Sequence, residues 1–196
     1  MKTVITKSYD APDLSKEQIL RYAGAKYADE KTDELLESVL LEAEGAFIYK
    51  VCYIELDASV SDGICDFGLF KIESQDLAKN LSGCKRAVLF AATVGIGIDR
   101  LISKYSRTSP AKALMLQALG TERVEALCDL FSEDIKGNCG AELRPRFSIG
   151  YGDTDLSQQK DILNILDASR KIGISLNESM LMSPTKSVTA FIGKSE

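Results

Sequence analysis

Apolar positions in the first part of the chain recur at helical spacing. Ser15-Lys16-Glu17-Gln18 has the form of a capping box, in which a hydroxyl takes the backbone N–H three residues on, and predicts a helix from there to about residue 26. Leu35, Leu36, Val39, Leu40 and Ala43 predict a second helix over 32–44, with Glu34, Glu37, Glu42 and Glu44 mostly on its wet face. The pattern then changes to runs rich in aromatic and β-branched residues. These predict strands over 47–56 and 64–72, the latter entered through Ser61-Asp62-Gly63. A short helix over 74–81 stops at Gly83, and 86–93 reads as a buried strand running through Gly95-Ile96-Gly97 into a helix over 99–105. Ser109-Pro110 supplies an N-cap and a proline at the first helical position. The longest helix follows, to about Lys136, with Gly137 expected to end it. Its buried stripe is Leu116, Gly120, Val124, Leu127, Phe131 and Ile135, and the glycine in the stripe implies close packing against a neighbour. Beyond it the pattern predicts a strand over 144–149, a helix over 157–169 broken at Gly173, and strands over 174–176 and 187–192.

Strands and helices are interspersed without strict alternation, which favours an α+β fold over a doubly wound sheet. The expected organisation is a single domain over 1–196, with an N-terminal helical segment (1–45) and an α+β body (46–196). Hydrophobic residues at 45% allow a sizeable core. A net charge of −5 without any basic block argues against nucleic acid or an anionic membrane surface as partner. The longest nearly apolar run, 87–98, is too short to span a bilayer, and the N-terminus has no apolar stretch of signal-peptide length, so the expected location is cytoplasmic.

The chain has no histidine, which excludes a Ser-His-Asp triad, a Cys-His pair and histidine-ligated metal. Chemistry must come from carboxylates, Arg, Lys, Tyr or Cys, or belong to a cofactor or partner. The five cysteines, Cys52, Cys65, Cys84, Cys128 and Cys139, show no Cys-x-x-Cys spacing and read as reduced structural thiols. Gly95-x-Gly97 after a strand starts a dinucleotide fingerprint, but Arg100 stands where its third glycine belongs, so a tight strand-to-helix turn is the simpler reading. Glu122, Glu125 and Asp129 share a helix face; paired carboxylates can do acid–base work, and a solvated acidic face is the commoner cause of the spacing. In Arg146-Phe147-Ser148-Ile149-Gly150-Tyr151-Gly152-Asp153, an extended strand points Arg146, Ser148 and Gly150 to one face and Phe147, Ile149 and Tyr151 to the other. An arginine fork, a flat aromatic and glycines that admit a ligand to the backbone suit a molecule with a carboxylate and a flat or cationic part. The same residues read equally well as a strand ending in a Gly-rich turn beside a salt-bridged arginine.

Arg146-x-x-x-Gly150-Tyr151, then a helix, then Ile172-Gly173-Ile174-x-Leu176-x-Glu178-Ser179-x-x-Met182-x-Pro184-x-x-Ser187-Val188, resembles the C-terminal activation domain of cobalamin-dependent methionine synthase. Ile19-Leu20-Arg21-Tyr22-Ala23-Gly24, Asp76-Leu77-Ala78-Lys79-Asn80-Leu81 and Phe90-Ala91-Ala92-Thr93-Val94-Gly95 extend the resemblance to stand-alone bacterial forms. The resemblance implies a twisted antiparallel sheet flanked by helices. It also implies a non-catalytic, S-adenosylmethionine-binding accessory subunit that reactivates a synthase lacking its own activation domain. The partner would carry the cobalamin, and a flavodoxin-like protein would supply the electron that lets inactive cob(II)alamin be methylated. Carried over by position, Arg146 would hold the methionine carboxylate, the backbone around Ile149, Gly150, Tyr151 and Gly152 would line the groove, and Glu125 would stand near the sulfonium. Lys186 and Ser187 would border the same groove. Gly152-Asp153-Thr154-Asp155 departs from the family's Cys-Pro-x-His-like stretch, and the sequence reads to Glu196 without reaching the family's aromatic ligand contact. Both departures imply a weaker site or one completed by the partner. Two other roles fit the same residues: a binding module for another corrinoid methyltransferase, or a free-standing S-adenosylmethionine-dependent methyltransferase.

Overall fold

The computed structural model describes residues 3–25, 29–140 and 142–195. Its centre is an antiparallel five-stranded sheet of β1 (Ile5–Tyr9), β2 (Tyr49–Asp57), β6 (Arg86–Thr93), β10 (Ser187–Ser195) and β7 (Glu142–Leu143), in that spatial order. A second antiparallel sheet joins β3 (Ser59–Ser61), β4 (Ile64–Asp66) and β5 (Lys71–Glu73), and β8 (Ser175–Leu176) pairs with β9 (Met182–Ser183).

Both faces of the large sheet are covered, and the period-two alternation of its strands feeds two cores. Val51 and Tyr53 of β2, Val88, Phe90 and Ala92 of β6, and Ala190 and Ile192 of β10 face one core; Cys52, Ile54, Leu56, Ala87, Leu89, Ala91 and Phe191 face the other. The first is roofed by α1 (Lys16–Tyr22), α2 (Glu30–Glu42), α4 (Gly97–Tyr105) and α5 (Pro110–Cys139). The second is closed by the small sheet, α3 (Gln75–Asn80), α6 (Gln159–Ile165) and α7 (Ala168–Ile172). Burial on both sides explains why β6 is apolar almost without interruption. Phe131 of α5 plugs into the first core, its ring 5.2 Å from Tyr53 and 4.9 Å from Phe90. Truncating such a ring to Ala costs about 3–5 kcal/mol. The α+β class and the antiparallel sheet flanked by helices agree with the sequence reading.

Several element boundaries differ, each for a local reason. β1 is unpredicted, because Ile-Thr-Lys-Ser-Tyr has too little apolar content; its pairing with β2 makes it a strand, and Lys7 and Tyr9 both reach Asp134 at 2.6 Å. The run 64–72 is two strands, because Asp66 accepts the Gly68 N–H and Phe67 N–H donates to the Phe70 carbonyl, turning the chain. The helix expected over 157–169 is a 3-10 turn (Leu156–Gln158), α6 and α7, divided at Asp167, whose φ is +49°. Asp29 starts α2 early by accepting the Thr32 N–H at 2.8 Å. Gly137 does not end α5, which runs on to Gly140, a left-handed cap at φ +62°. Helix α1 stops at Tyr22, and its expected end at residue 26 lies outside the described residues. The Gly95–Gly97 turn is tight for packing reasons: a Cβ on Gly97 would lie 2.1 Å from the Ala46 carbonyl oxygen. Gly120 packs as expected, with a Cβ there falling 2.9 Å from Lys186 Cγ. Cys52, Cys65, Cys84 and Cys128 are free and buried; the Cys139 side chain lies outside what is described. Among the described residues no helix is long and apolar enough to cross a membrane.

Candidate functional site

A cleft of about 540 Å³ opens where the segment leading into α1 crosses α5. Pro12, Asp13, Ser15, Gln18 and Tyr22 form one wall, Glu122, Glu125, Ala126 and Asp129 of α5 form the floor, and Arg146 reaches in from beyond β7. Helical spacing brings the α5 residues to one face.

Arg146 is aimed into the cleft by an irregularity in the sheet. The segment 144–149 is not a regular strand. Leu143 pairs with Lys194 and Phe147 bridges Phe191, so four residue steps on one side face three on the other. One extra residue makes a bulge, and Pro145, which has no N–H, sits within it. The bulge turns Arg146 toward α5, while Phe147 and Ile149 enter the second core. Arg146 donates from Nη2 to Glu125 Oε2 at 2.9 Å and from Nη1 to Asp129 Oδ1 at 2.5 Å. It is therefore salt-bridged, one of the two readings its sequence context allowed. A guanidinium has five N–H donors, so these pairs leave donors for a further anion.

The acidic face of α5 is not uniformly solvated. Glu122 is 4% exposed and paired with the adjacent Arg123, which is 2% exposed. Only Glu125 and Asp129 meet solvent and Arg146.

Past Ile149, which is buried, the chain turns sharply. Thr154 Oγ1 accepts the Gly150 N–H at 2.9 Å and donates to the Tyr151 carbonyl at 2.7 Å. Gly152 has φ +59°, and a Cβ there would fall 2.2 Å from Asp76 Oδ2. Asp153 then caps α3, accepting from the Ser74 hydroxyl and, at 2.7 Å, from the Gln75 N–H. The Ser74 hydroxyl and the Gln75 amide hold the Asp153 carboxyl below the usual carboxylate range. The turn projects Tyr151 into solvent, 71% exposed, rather than onto the buried face with Phe147 and Ile149. Ile149, Gly150, Tyr151 and Gly152 do not line the Arg146 cleft.

Lys186 and Ser187 do not line it either. Lys186 Nζ donates to Thr121 Oγ1 at 2.9 Å, one helical turn before Glu125, and burial lowers its pKa. Ser187 is buried against Thr93 Oγ1 and the Pro184 carbonyl. The structure thus brings together Arg146 and Glu125 from the expected set. It adds Asp13, Gln18 and Tyr22, for which the sequence carried only an indirect signal, the capping box at Ser15 that set α1 in place.

The family model for the activation domain of vitamin B12 dependent methionine synthase matches residues 75–196. Among solved structures, the crystal structure of the MetH reactivation domain bound to AdoHcy superposes with a TM-score of 0.68 at 14% identity, covering 97% of this chain and 78% of that one. At that identity the likeness is one of fold. Comparison with curated protein sequences gives no match. The family match spans Glu125 and Arg146 but starts after the wall that carries Asp13 and Tyr22, which only the structural likeness covers.

Proposed function

Since the chain belongs to the vitamin B12 dependent methionine synthase activation-domain family, we propose that it binds S-adenosylmethionine in the Arg146 cleft and serves the reductive reactivation of a synthase lacking that domain. The observation that carries this reading is the juxtaposition of Arg146 with Glu125 in one cleft. The ligand presents a carboxylate, an ammonium and a sulfonium; the cleft presents a guanidinium and carboxylates within a volume of the size that small-molecule sites have.

The related MetH reactivation domain was crystallised with AdoHcy, the demethylated form of the proposed ligand. In this chain Arg146 would exchange the exposed Asp129 carboxylate for that of the ligand, gaining a pair shielded from water. Glu125, released from part of its pairing, would face the cationic end. Tyr22 and the projecting Tyr151 offer flat surfaces to the adenine or to the partner. The turn at Ile149, Gly150, Tyr151 and Gly152, with Lys186 and Ser187, would extend the groove beyond the cleft. Bound S-adenosylmethionine would give up its methyl group and leave as S-adenosylhomocysteine, the acceptor being cobalamin held by the synthase and reduced by one electron from a flavodoxin-like donor. This chain's part is to bind, orient and exclude water.

Calorimetric titration of S-adenosylmethionine into the protein, alone and with cob(II)alamin-loaded synthase, tests the reading. Binding alone means a complete groove; binding only with the partner means a shared one. No heat in either arrangement removes the proposal.

A further inference from the structure

The wall of the cleft opposite Arg146 is a strap, residues 11–15, with open space on both sides. On one side is the ligand cleft, lined by Pro12, Asp13 and Ser15. On the other is a cavity of about 410 Å³, lined by Ala11, Pro12 and Leu14 of the strap and by Leu40, Phe47 and Leu119 behind it. Pro12 borders both. A segment so placed is not held by close packing.

What holds it is a buried ion pair. Arg123 donates from Nη1 to the Pro12 carbonyl and from Nη2 to the Asp13 carbonyl, both at 2.7 Å. Its Nε and Nη2 also donate to Glu122, at 2.5 and 2.6 Å, and Glu122 Oε1 accepts the Ser15 N–H at 3.0 Å. The guanidinium fork fixes two consecutive carbonyls, and the carboxylate fixes the Ser15 amide two residues further on. Replacing a buried ion pair of this kind by apolar side chains is often neutral or stabilising. Stability alone is therefore a poor reason for its presence, whereas its hydrogen bonds set the position of one particular backbone segment.

We propose that Glu122 and Arg123 are positioning residues for the ligand: they set the strap at the distance from Glu125 and Arg146 at which the cleft grips its ligand. Arg123, which does not line the cleft, acts through the backbone of residues 12–15; Glu122, part of the cleft floor, acts through Arg123 and the Ser15 amide. This inference rests on the reading of the cleft as the S-adenosylmethionine site.

The test uses the full chain with three variants. Arg123→Lys keeps the charge and loses the fork. Glu122→Gln keeps an acceptor for Ser15 and loses the charge. The double variant Glu122→Leu with Arg123→Met replaces the pair by apolar side chains and keeps the assay usable if a single variant unfolds. S-adenosylmethionine affinity is measured by calorimetry, thermal midpoint by calorimetric scanning, and amide hydrogen exchange is followed over residues 12–18. Expected are a tenfold or greater loss of affinity in Arg123→Lys and in the double variant, faster exchange at Ser15, and a smaller loss in Glu122→Gln. The double variant should lose affinity together with faster exchange at Ser15 while keeping a midpoint near that of the wild type, a combination that neither a merely structural role nor loss of a direct Glu122 contact produces, and Arg123→Lys should lose affinity with the cleft-lining Glu122 still in place. Wild-type affinity in a folded Arg123→Lys or double variant overturns the inference and leaves the proposed function standing. Failure of the wild type itself to bind, alone or with the synthase, removes the proposed function first and this inference with it.

Discussion

At the scale of single residues, Arg146 is the point on which the site turns. Its two carboxylate partners are unequal. The Asp129 side chain is 73% exposed and that of Glu125 41%, so the Asp129 pair is screened and contributes about 0–1 kcal/mol. Asp129→Asn should therefore leave the thermal midpoint within a degree or two and tighten S-adenosylmethionine binding by up to about fivefold, because a competitor for the guanidinium is gone. Arg146→Ala should fold normally and lose about 2–5 kcal/mol of binding free energy, the cost of truncating a charge pair once the ligand desolvates it. Wild-type affinity in that variant would place the carboxylate elsewhere. Glu125→Gln separates the ligand's two charges: on the proposed reading it should weaken S-adenosylmethionine, whose sulfonium Glu125 would face, more than S-adenosylhomocysteine, which has none. Equal losses for the two ligands would remove Glu125 from the cationic end.

At the scale of elements, the turn after Arg146 depends on Gly152 and Asp153. Gly152→Ala would force a left-handed backbone on alanine and drive its Cβ toward Asp76, a cost of about 1–2 kcal/mol before any clash is relieved. Asp153 ties the turn to α3, and its pKa in the folded protein is depressed by the Ser74 hydroxyl and the Gln75 amide. A depressed folded value means the carboxylate stabilises above its unfolded pKa, near about 4, and loses that contribution as pH falls through the folded value. The midpoint difference between wild type and Asp153→Asn should thus be greatest near neutrality and shrink toward zero below about pH 4. A difference independent of pH would mean the charge is irrelevant to the turn. These elements also mark what the sequence could convey. β6 and the long α5 were legible because two-sided burial and a 3.6-residue stripe leave strong patterns. β1 was not, since a short polar edge strand takes its identity from β2. The Arg146 strand was misread because a bulge depends on its pairing partner, and here Phe147 bridges Phe191, forty-four residues away. The cap at Asp153 was invisible for the same reason: α3, which it caps, lies more than seventy residues upstream. Arg146 and Glu125 could be named from the pattern they resemble; the N-terminal wall facing them could not, because only the tertiary fold lays residues 12–22 across α5.

At the scale of the whole molecule, the division of labour with a partner can be argued from what this chain can do unaided. It has no histidine, and burial pushes the Cys52 and Cys128 thiols up to about 12 and Cys65 up to about 11. Those three thiols are poor nucleophiles near neutrality, since the thiolate is the reactive form. They should resist alkylation by iodoacetamide in the folded protein and react only on unfolding, as read by intact-mass spectrometry. The chain then offers a charged cleft and a projecting aromatic, which suit binding and docking. With S-adenosylmethionine alone it should release no S-adenosylhomocysteine. With cob(II)alamin synthase, reductant and S-adenosylmethionine, methylcobalamin should form at a rate that depends on the chain. Arg146→Ala should abolish that rate while the two proteins still co-elute, because in the proposed function the arginine serves the ligand rather than the interface. Turnover of S-adenosylmethionine without any corrinoid protein would instead make the chain a methyltransferase in its own right. Activity restored only to a different corrinoid protein would keep the cleft and change the partner.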